Sequence, residues 1–231
     1  MKRIAFFVEG LTEQLFLIKF IEEAYAKSRI AIASIKGSGG NKTGISFTTI
    51  TAASITAQTS YYILIVDCGG DANIKSYILD QRLSLISAAY SKIIGLRDVY
   101  PIARADIHKL TTGLYFQLPQ TSVRIDFILS TMEVEAWFLS EHTHFNRIDS
   151  KLSPSVIHAN LAFSPETDDM ELRDTPAEDL HNSYRIVGKA YKKDNFYIQR
   201  TVNAIDYTEL YFNTKPPSLI QLKTELDSFF I

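Results

Sequence analysis

Arg3-Ile4-Ala5-Phe6-Phe7-Val8-Glu9-Gly10-Leu11-Thr12-Glu13 is the stretch whose reading decides the fold. Ile4 to Val8 is a short apolar run of the kind that forms a strand buried on both faces, as in a sheet covered by helices. It stops at Glu9-Gly10, and Thr12 then opens a helical pattern with Leu15, Phe16, Ile18, Lys19 and Glu22 spaced for one buried and one wet face. A carboxylate at the carboxyl end of a buried strand, followed by glycine and a helix start, sits where open α/β sheets bind ligands. Gly10 lets a ligand approach the backbone closely. Alone, Glu9 is as well explained as a solvated strand end, so the weight falls on whether other acids converge there.

Working outward, the helix over about Thr12–Lys27 is followed by a second short strand, Ile30–Ile35. Lys36–Gly44 reads as a glycine-rich surface loop that tolerates phosphate, and its spacing does not match a P-loop, because Lys36 and Asn41 occupy the glycine positions. Ser46–Thr59, rich in Thr and Ala, is expected to be a modest helix. Tyr61–Val66 is a strand of apolar and β-favouring residues and ends in Asp67-Cys68-Gly69-Gly70-Asp71. A helix over Ala72–Tyr90, a strand over Ser91–Leu96 running into Arg97-Asp98, a helix over Ile102–Leu114 and a strand over Val123–Leu129 follow. Ser130–Leu139 then starts a helix bearing Glu133 and Glu135. Alternating strands and helices imply an α/β fold with a mostly parallel sheet flanked by helices. Beyond about residue 145 the chain reads as helical, over Ser155–Leu161, Pro176–Ala190, Tyr197–Phe212 and Ser218–Phe230. The expectation is an α/β core over 1–145 with a helical C-terminal extension over 146–231 packed on it.

The composition excludes several function classes. With 231 residues, 46% hydrophobic and 22% charged, the chain is ordinary for a globular protein, and 12 Tyr and 14 Phe supply a core without staples. A single cysteine, Cys68, excludes an internal disulfide and a cysteine-cage zinc site and makes the cytoplasm the default compartment. No apolar leader opens the sequence and no run is long enough to cross a bilayer, so no membrane is expected. A net charge of −2 argues against indiscriminate polyanion binding, though not against a nucleic-acid enzyme with a local basic patch.

Glu9, Asp67 with Asp71, and Asp98 finish three strands, and Glu133 and Glu135 follow a further one. In a parallel sheet all carboxyl ends share one edge, and like charges gathered there repel unless a cation sits among them. Mg²⁺ or Mn²⁺, held by carboxylates, water and substrate phosphates, suits such a set, and metal-assisted phosphoryl chemistry is what it can support. Glu13, in the first helical turn, fits the helix dipole as well as it fits a site. On a helix, Glu133 and Glu135 would point apart, so one of them is expected to face the metal, and Glu133 lies nearer the strand end. Cys68 is expected to fill space, and His108, His158 and His181 to be surface or hydrogen-bonded residues.

Arg185, Lys189, Lys192, Lys193 and Arg200 interleave with Tyr184, Tyr191, Phe196 and Tyr197, a pairing of phosphate-gripping heads with stacking rings. The plain alternative is a solvated basic helix face with a packed aromatic side. Lys42, in the glycine-rich loop, is a further candidate phosphate contact.

Val8-Glu9-Gly10-Leu11-Thr12-Glu13, with the later strand ending in Asp67 and Asp71, resembles the Toprim domain of topoisomerases, primases and the OLD-type nucleases (overcoming lysogenization defect). It is more closely similar to small bacterial Toprim-like proteins classed as a domain of unknown function, through Met132-Glu133-Val134-Glu135-Ala136-Trp137. The likeness covers roughly the first 140 residues. It implies a Toprim-like Rossmannoid sheet and a Mg²⁺- or Mn²⁺-dependent nuclease acting on DNA or RNA, tRNA included. Glu9, Asp67 and Asp71 would be catalytic, and Glu9, Glu13, Asp67, Asp71 and Glu133 would hold metal. It also implies antiphage defence beside an ABC-type ATPase, and is compatible with a homo-oligomer. The usual Asp-x-Asp is altered, because Gly69 stands where the second acid belongs. That departure favours the rival expectation of a non-catalytic regulatory or interaction subunit. A primase-like nucleotidyl transferase is the other rival, and the chain is short for a topoisomerase's strand-passage gate.

Overall fold

In the computed structural model, which describes residues 1–25, 27–40 and 43–231, strand β1 (Lys2–Val8) lies inside a six-stranded sheet. Its neighbours are β4 (Tyr61–Asp67) and β5 (Lys92–Asp98), both parallel to it. Beyond β4 lie β2 (Ile30–Gly40) and the edge strand β3 (Gly44–Thr51), and beyond β5 lies β6 (Arg124–Ser130). All neighbours are parallel except the β2–β3 pair.

Alternation along β1 divides the core. Ile4, Phe6 and Val8 face one layer with Phe16, Leu17 and Phe20 of helix α1 (Leu11–Ala24), while Ala5 and Phe7 face the other with Ile74, Tyr77 and Ile78 of α2 (Asn73–Ser87). Helices α1 and α2 therefore leave the ends of neighbouring strands towards opposite faces. The crevice between their starts is a topological switch point, where ligands bind in open α/β sheets.

The first layer also takes the C-terminal helices: α4 (Glu135–Ser140), α5 (His144–Ile148), α6 (Pro154–Leu161), α7 (Pro176–Arg185), α8 (Asn195–Ala204), α9 (Tyr207–Phe212) and α10 (Pro217–Phe230). Leu219, Leu222, Leu226 and Phe229 of α10 belong to the same buried cluster as Ile4 and Phe6, so the helical extension shares the core of the sheet. Trp137 is fully buried beside Phe16 and donates its Nε1–H to Ser218 Oγ at 2.8 Å. The second layer adds α3 (Ile107–Tyr115). Among the described residues, no helix is long and apolar enough to cross a membrane.

Three segments differ from expectation. In the glycine-rich Lys36–Gly44 segment, residues 36–40 do not form a surface loop. Lys36 to Gly40 continue β2, which pairs with β3 through Gly37↔Phe47 and Gly40↔Gly44. Gly37 is there for packing, since a Cβ on it would lie 2.2 Å from the Tyr77 ring. Ser46–Thr59 is not a helix. Its first part is β3, and Thr48, Thr49, Ile50 and Thr51 are β-branched side chains that fit a pleated strand better than a helix. In the extension, the expected Tyr197–Phe212 helix breaks at Ile205, and the Asp206 carboxylate caps α9 by accepting the Glu209 N–H at 2.9 Å. Lys42, a candidate phosphate contact, lies outside the described residues.

Candidate metal centre

Register brings the acids to one edge. Val8 pairs with both Asp67 and Leu96, Lys36 pairs with Asp67, and Asp98 pairs with Ser130. Glu9, Asp67, Asp98 and the Glu133 turn thus all lie at the carboxyl end of the sheet. There they divide into two groups, with Asp71 drawn aside.

Glu9, Glu13 and Asp67 line a cavity of about 300 Å³, with Lys36 and Lys193 at its sides. The Glu9 carboxyl is held above its ordinary range by burial and by the charge of Asp71, against the Asp98 backbone amide, Lys193 and Arg97. Its Oε2 is buried and has no hydrogen-bond partner among the described residues. Asp67 accepts the Gly69 N–H at 2.8 Å through one oxygen, and the other lies 3.8 Å from the Lys36 ammonium. The loop after Asp67 is tied to β1, because Cys68 N–H donates to Val8 O and Gly70 N–H to Glu9 O. Gly69 has φ +66°, left-handed backbone that glycine takes freely. Cys68 is fully buried and burial pushes its thiol pKa up, in keeping with a space-filling role.

Glu13 turns back on its own helix. Its Oε2 accepts the Gly10 N–H at 2.8 Å, so it closes the start of α1 while also lining the cavity. Burial first, and then Glu9, push its pKa up to about 7.

The second group is organised by a lysine. The Lys193 ammonium lies 3.0 Å from Glu133, 3.5 Å from Glu135 and 4.0 Å from Asp98. Glu135 is fully buried, accepts the Tyr191 hydroxyl at 2.7 Å, and has its pKa pushed up to about 7 by burial and Glu133 despite the lysine. Asp98 is likewise held well above its ordinary range by burial and by Glu13 and Glu135. It accepts bonds from Ser130 Oγ and the Val134 amide. Two negative charges about 4 Å apart repel by roughly 4 kcal/mol in surroundings of intermediate polarity. One lysine among three carboxylates therefore leaves an excess that favours proton uptake.

These contacts show where the expected site residues lie. Lys193, expected to grip nucleic acid, is the cation among these acids, because its side chain reaches three carboxylates at once. Glu133, expected to hold metal, is committed to Lys193 and to the Ala177 N–H at the start of α7. Glu133 and Glu135 do not point apart, because α4 begins only at Glu135. Glu133 lies in the preceding turn, where Met132 has φ +64° and helical spacing does not apply. Asp71, expected beside Asp67, pairs with Arg97 and borders a different cavity. Among the described residues, no three or more His, Cys, Asp or Glu side chains are grouped to hold a metal ion. The five expected ligands are thus not brought into one set.

The expected basic patch also thins out. Lys189 pairs with Asp149 at 3.1 Å and donates to Ile148 O. Tyr184 and Tyr191 are buried and have no face free for a base. Arg185 and Lys192 are exposed, with Phe196 beside the half-buried Tyr197. One site residue escaped the sequence. Lys36 reaches the cavity only through its register with Asp67, which no motif announces. Outside the site, in the helical layer, His144 is fully buried, bonded to Glu141 O and Tyr184 Oη, and its pKa is lowered to about 4 by burial.

Glu9 and Asp67 offer hard oxygen donors from neighbouring strands, and the buried Glu9 Oε2 without a partner is the acceptor that a small cation would satisfy. These two residues fit a magnesium or manganese ion that completes its shell with water and phosphate oxygens. The chain matches no protein-family model, no curated protein and no solved structure.

Proposed function

We propose that this chain is a Toprim-like, Mg²⁺- or Mn²⁺-dependent nuclease that hydrolyses phosphodiester bonds in DNA or RNA. The observation that carries it is the pairing of Glu9 and Asp67 in one cavity at the switch point of the sheet, with lysines on either side. Glu9 and Asp67 would hold the cation. When bound, it supplies Lewis-acid polarisation of a phosphoryl oxygen and makes water more acidic. Glu9, whose carboxyl burial and Asp71 hold above its ordinary range, would take a proton from attacking water. Lys36, exposed on the cavity rim, offsets phosphate charge. Partnership with an ABC-type ATPase and a role in antiphage defence rest on the resemblance of the Glu9 and Met132–Trp137 segments.

The second reading, a non-catalytic Toprim-like interaction subunit, is favoured by one observation: Lys193 already serves as the cation for Asp98, Glu133 and Glu135. Cleavage of plasmid, single-stranded DNA and total tRNA, with and without Mn²⁺, separates the two, alongside direct Mn²⁺ titration. The nuclease reading expects manganese binding and cleavage, with Glu9→Gln or Asp67→Asn abolishing cutting in a folded protein. Neither binding nor cutting in the wild-type chain would leave the interaction subunit.

A further inference from the structure

Across the Arg97–Asp71 pair from Glu9 lies a larger cavity of about 550 Å³, a volume typical of small-molecule sites, which run from roughly 300 to 1,000 Å³. Its walls are apolar, with Ile102 from the turn after β5 and Leu110 and Leu114 from α3. Its rim carries Lys75, Arg97 and Lys109 against two acids, Asp71 and Asp106.

The cations are not equally engaged. Lys109 pairs with Asp106 at 2.7 Å on the surface, a contact that water screens. Among the described residues, Lys75 has only carbonyl partners, Gly113 O and Phe116 O, and no carboxylate cancels its charge. Arg97 gives one arm to Asp71, while its buried Nε–H has no acceptor. A buried guanidinium N–H without a partner, on a residue lining an apolar hollow, is a donor that an anionic oxygen would satisfy.

We propose that this hollow is a nucleotide subsite, taking a base against Ile102, Leu110 and Leu114 and its phosphate on Arg97, Lys75 and Lys109. It would seat the nucleotide next to the cut, and in that respect it rests on the nuclease reading. Asp71 and Arg97 both act electrostatically on Glu9, which places the hollow beside the metal-binding cavity on the same sheet edge.

Thymidine 5′-monophosphate, thymidine and inorganic phosphate, each titrated into the full chain in EDTA and followed by amide NMR, test it without metal or cleavage. The monophosphate should bind and shift Leu110 and Gly113, more tightly than either fragment. Lys109→Glu and Arg97→Gln should each weaken it about tenfold, the contribution of one charge-assisted hydrogen bond. Arg97 is largely buried, so Lys109→Glu, on an exposed position, keeps the test decisive if the other variant misfolds. Nucleotide binding without cleavage of any substrate supports the subsite and overturns the nuclease reading. Cleavage with no nucleotide binding, or with binding indifferent to Lys109→Glu, overturns the subsite and leaves the nuclease reading standing.

Discussion

The Lys193 ammonium stands 3.5 Å from the fully buried carboxylate of Glu135, and the same ammonium reaches Glu133 and Asp98. It is the contact that makes the acid cluster tolerable in the folded chain. Breaking a fully buried ion pair costs about 3–5 kcal/mol, and the half-exposed lysine reduces that here. Lys193→Met is therefore expected to lower stability by about 2 kcal/mol at pH 7.5 in urea unfolding. Adding Glu135→Gln, which removes the stranded charge, should recover most of the loss. A double variant no more stable than the single one would show that Lys193 acts through packing and not charge.

Glu13 adds a pH dependence of defined sign. Its folded pKa is about 7 against 4.5 for the ordinary group, so the folded chain holds a proton that the unfolded chain has released. Stability from this group is complete below about pH 4.5 and is lost as pH rises through about 7. Glu13→Gln keeps an acceptor for the Gly10 N–H without the charge. It should be more stable than wild type at pH 8 by roughly 2–3 kcal/mol, with the difference vanishing near pH 4. Equal stability at pH 8 in EDTA would contradict the burial argument.

Two glycines of the β2–β3 hairpin should respond unequally to alanine. A Cβ on Gly37 would meet the Tyr77 ring at 2.2 Å, whereas one on Gly40 meets nothing within 4 Å. Gly37→Ala must displace Tyr77, whose hydroxyl donates to Gly39 O, and should cost about 1–3 kcal/mol. Gly40→Ala should stay within about 0.5 kcal/mol. Thermal melts of the two variants decide it, and equal melting temperatures would mean that Gly37 has room to adapt.

The sheet was legible because β1, β4, β5 and β6 are apolar runs ending in acids or polar turns, and burial on both faces writes itself into such runs. The hairpin was not, because glycine at Gly37 looks the same whether it serves a loop or the close approach of Tyr77. The convergence of Glu9, Asp67 and Asp98 on one edge followed from parallel strands alone. Their division into two groups did not. It depends on Lys193 returning from a segment some sixty residues after Glu133, and on Arg97 drawing Asp71 aside, and neither pairing leaves a local pattern.

His144 supplies a pH dependence of the opposite sign to Glu13. It is fully buried between Phe145 and Tyr184, with Glu141 O and Tyr184 Oη as its partners and Arg147 and His142 adding positive charge nearby. Burial, the largest cause, lowers its pKa to about 4 from 6.5. Between those values the unfolded chain binds a proton that the folded chain refuses. Stability is therefore full above about pH 6.5 and is lost as pH falls towards 4, by roughly 3 kcal/mol for a shift of this size. Glu13 and Glu135 gain stability over part of the same range, so the wild-type curve alone hides the effect. The difference between wild type and His144→Gln isolates it. Urea unfolding at steps from pH 4.5 to 7.5 should show the variant gaining on wild type as pH falls. Parallel curves would mean that the imidazole charges in place, with water reaching the Tyr184 side of the ring.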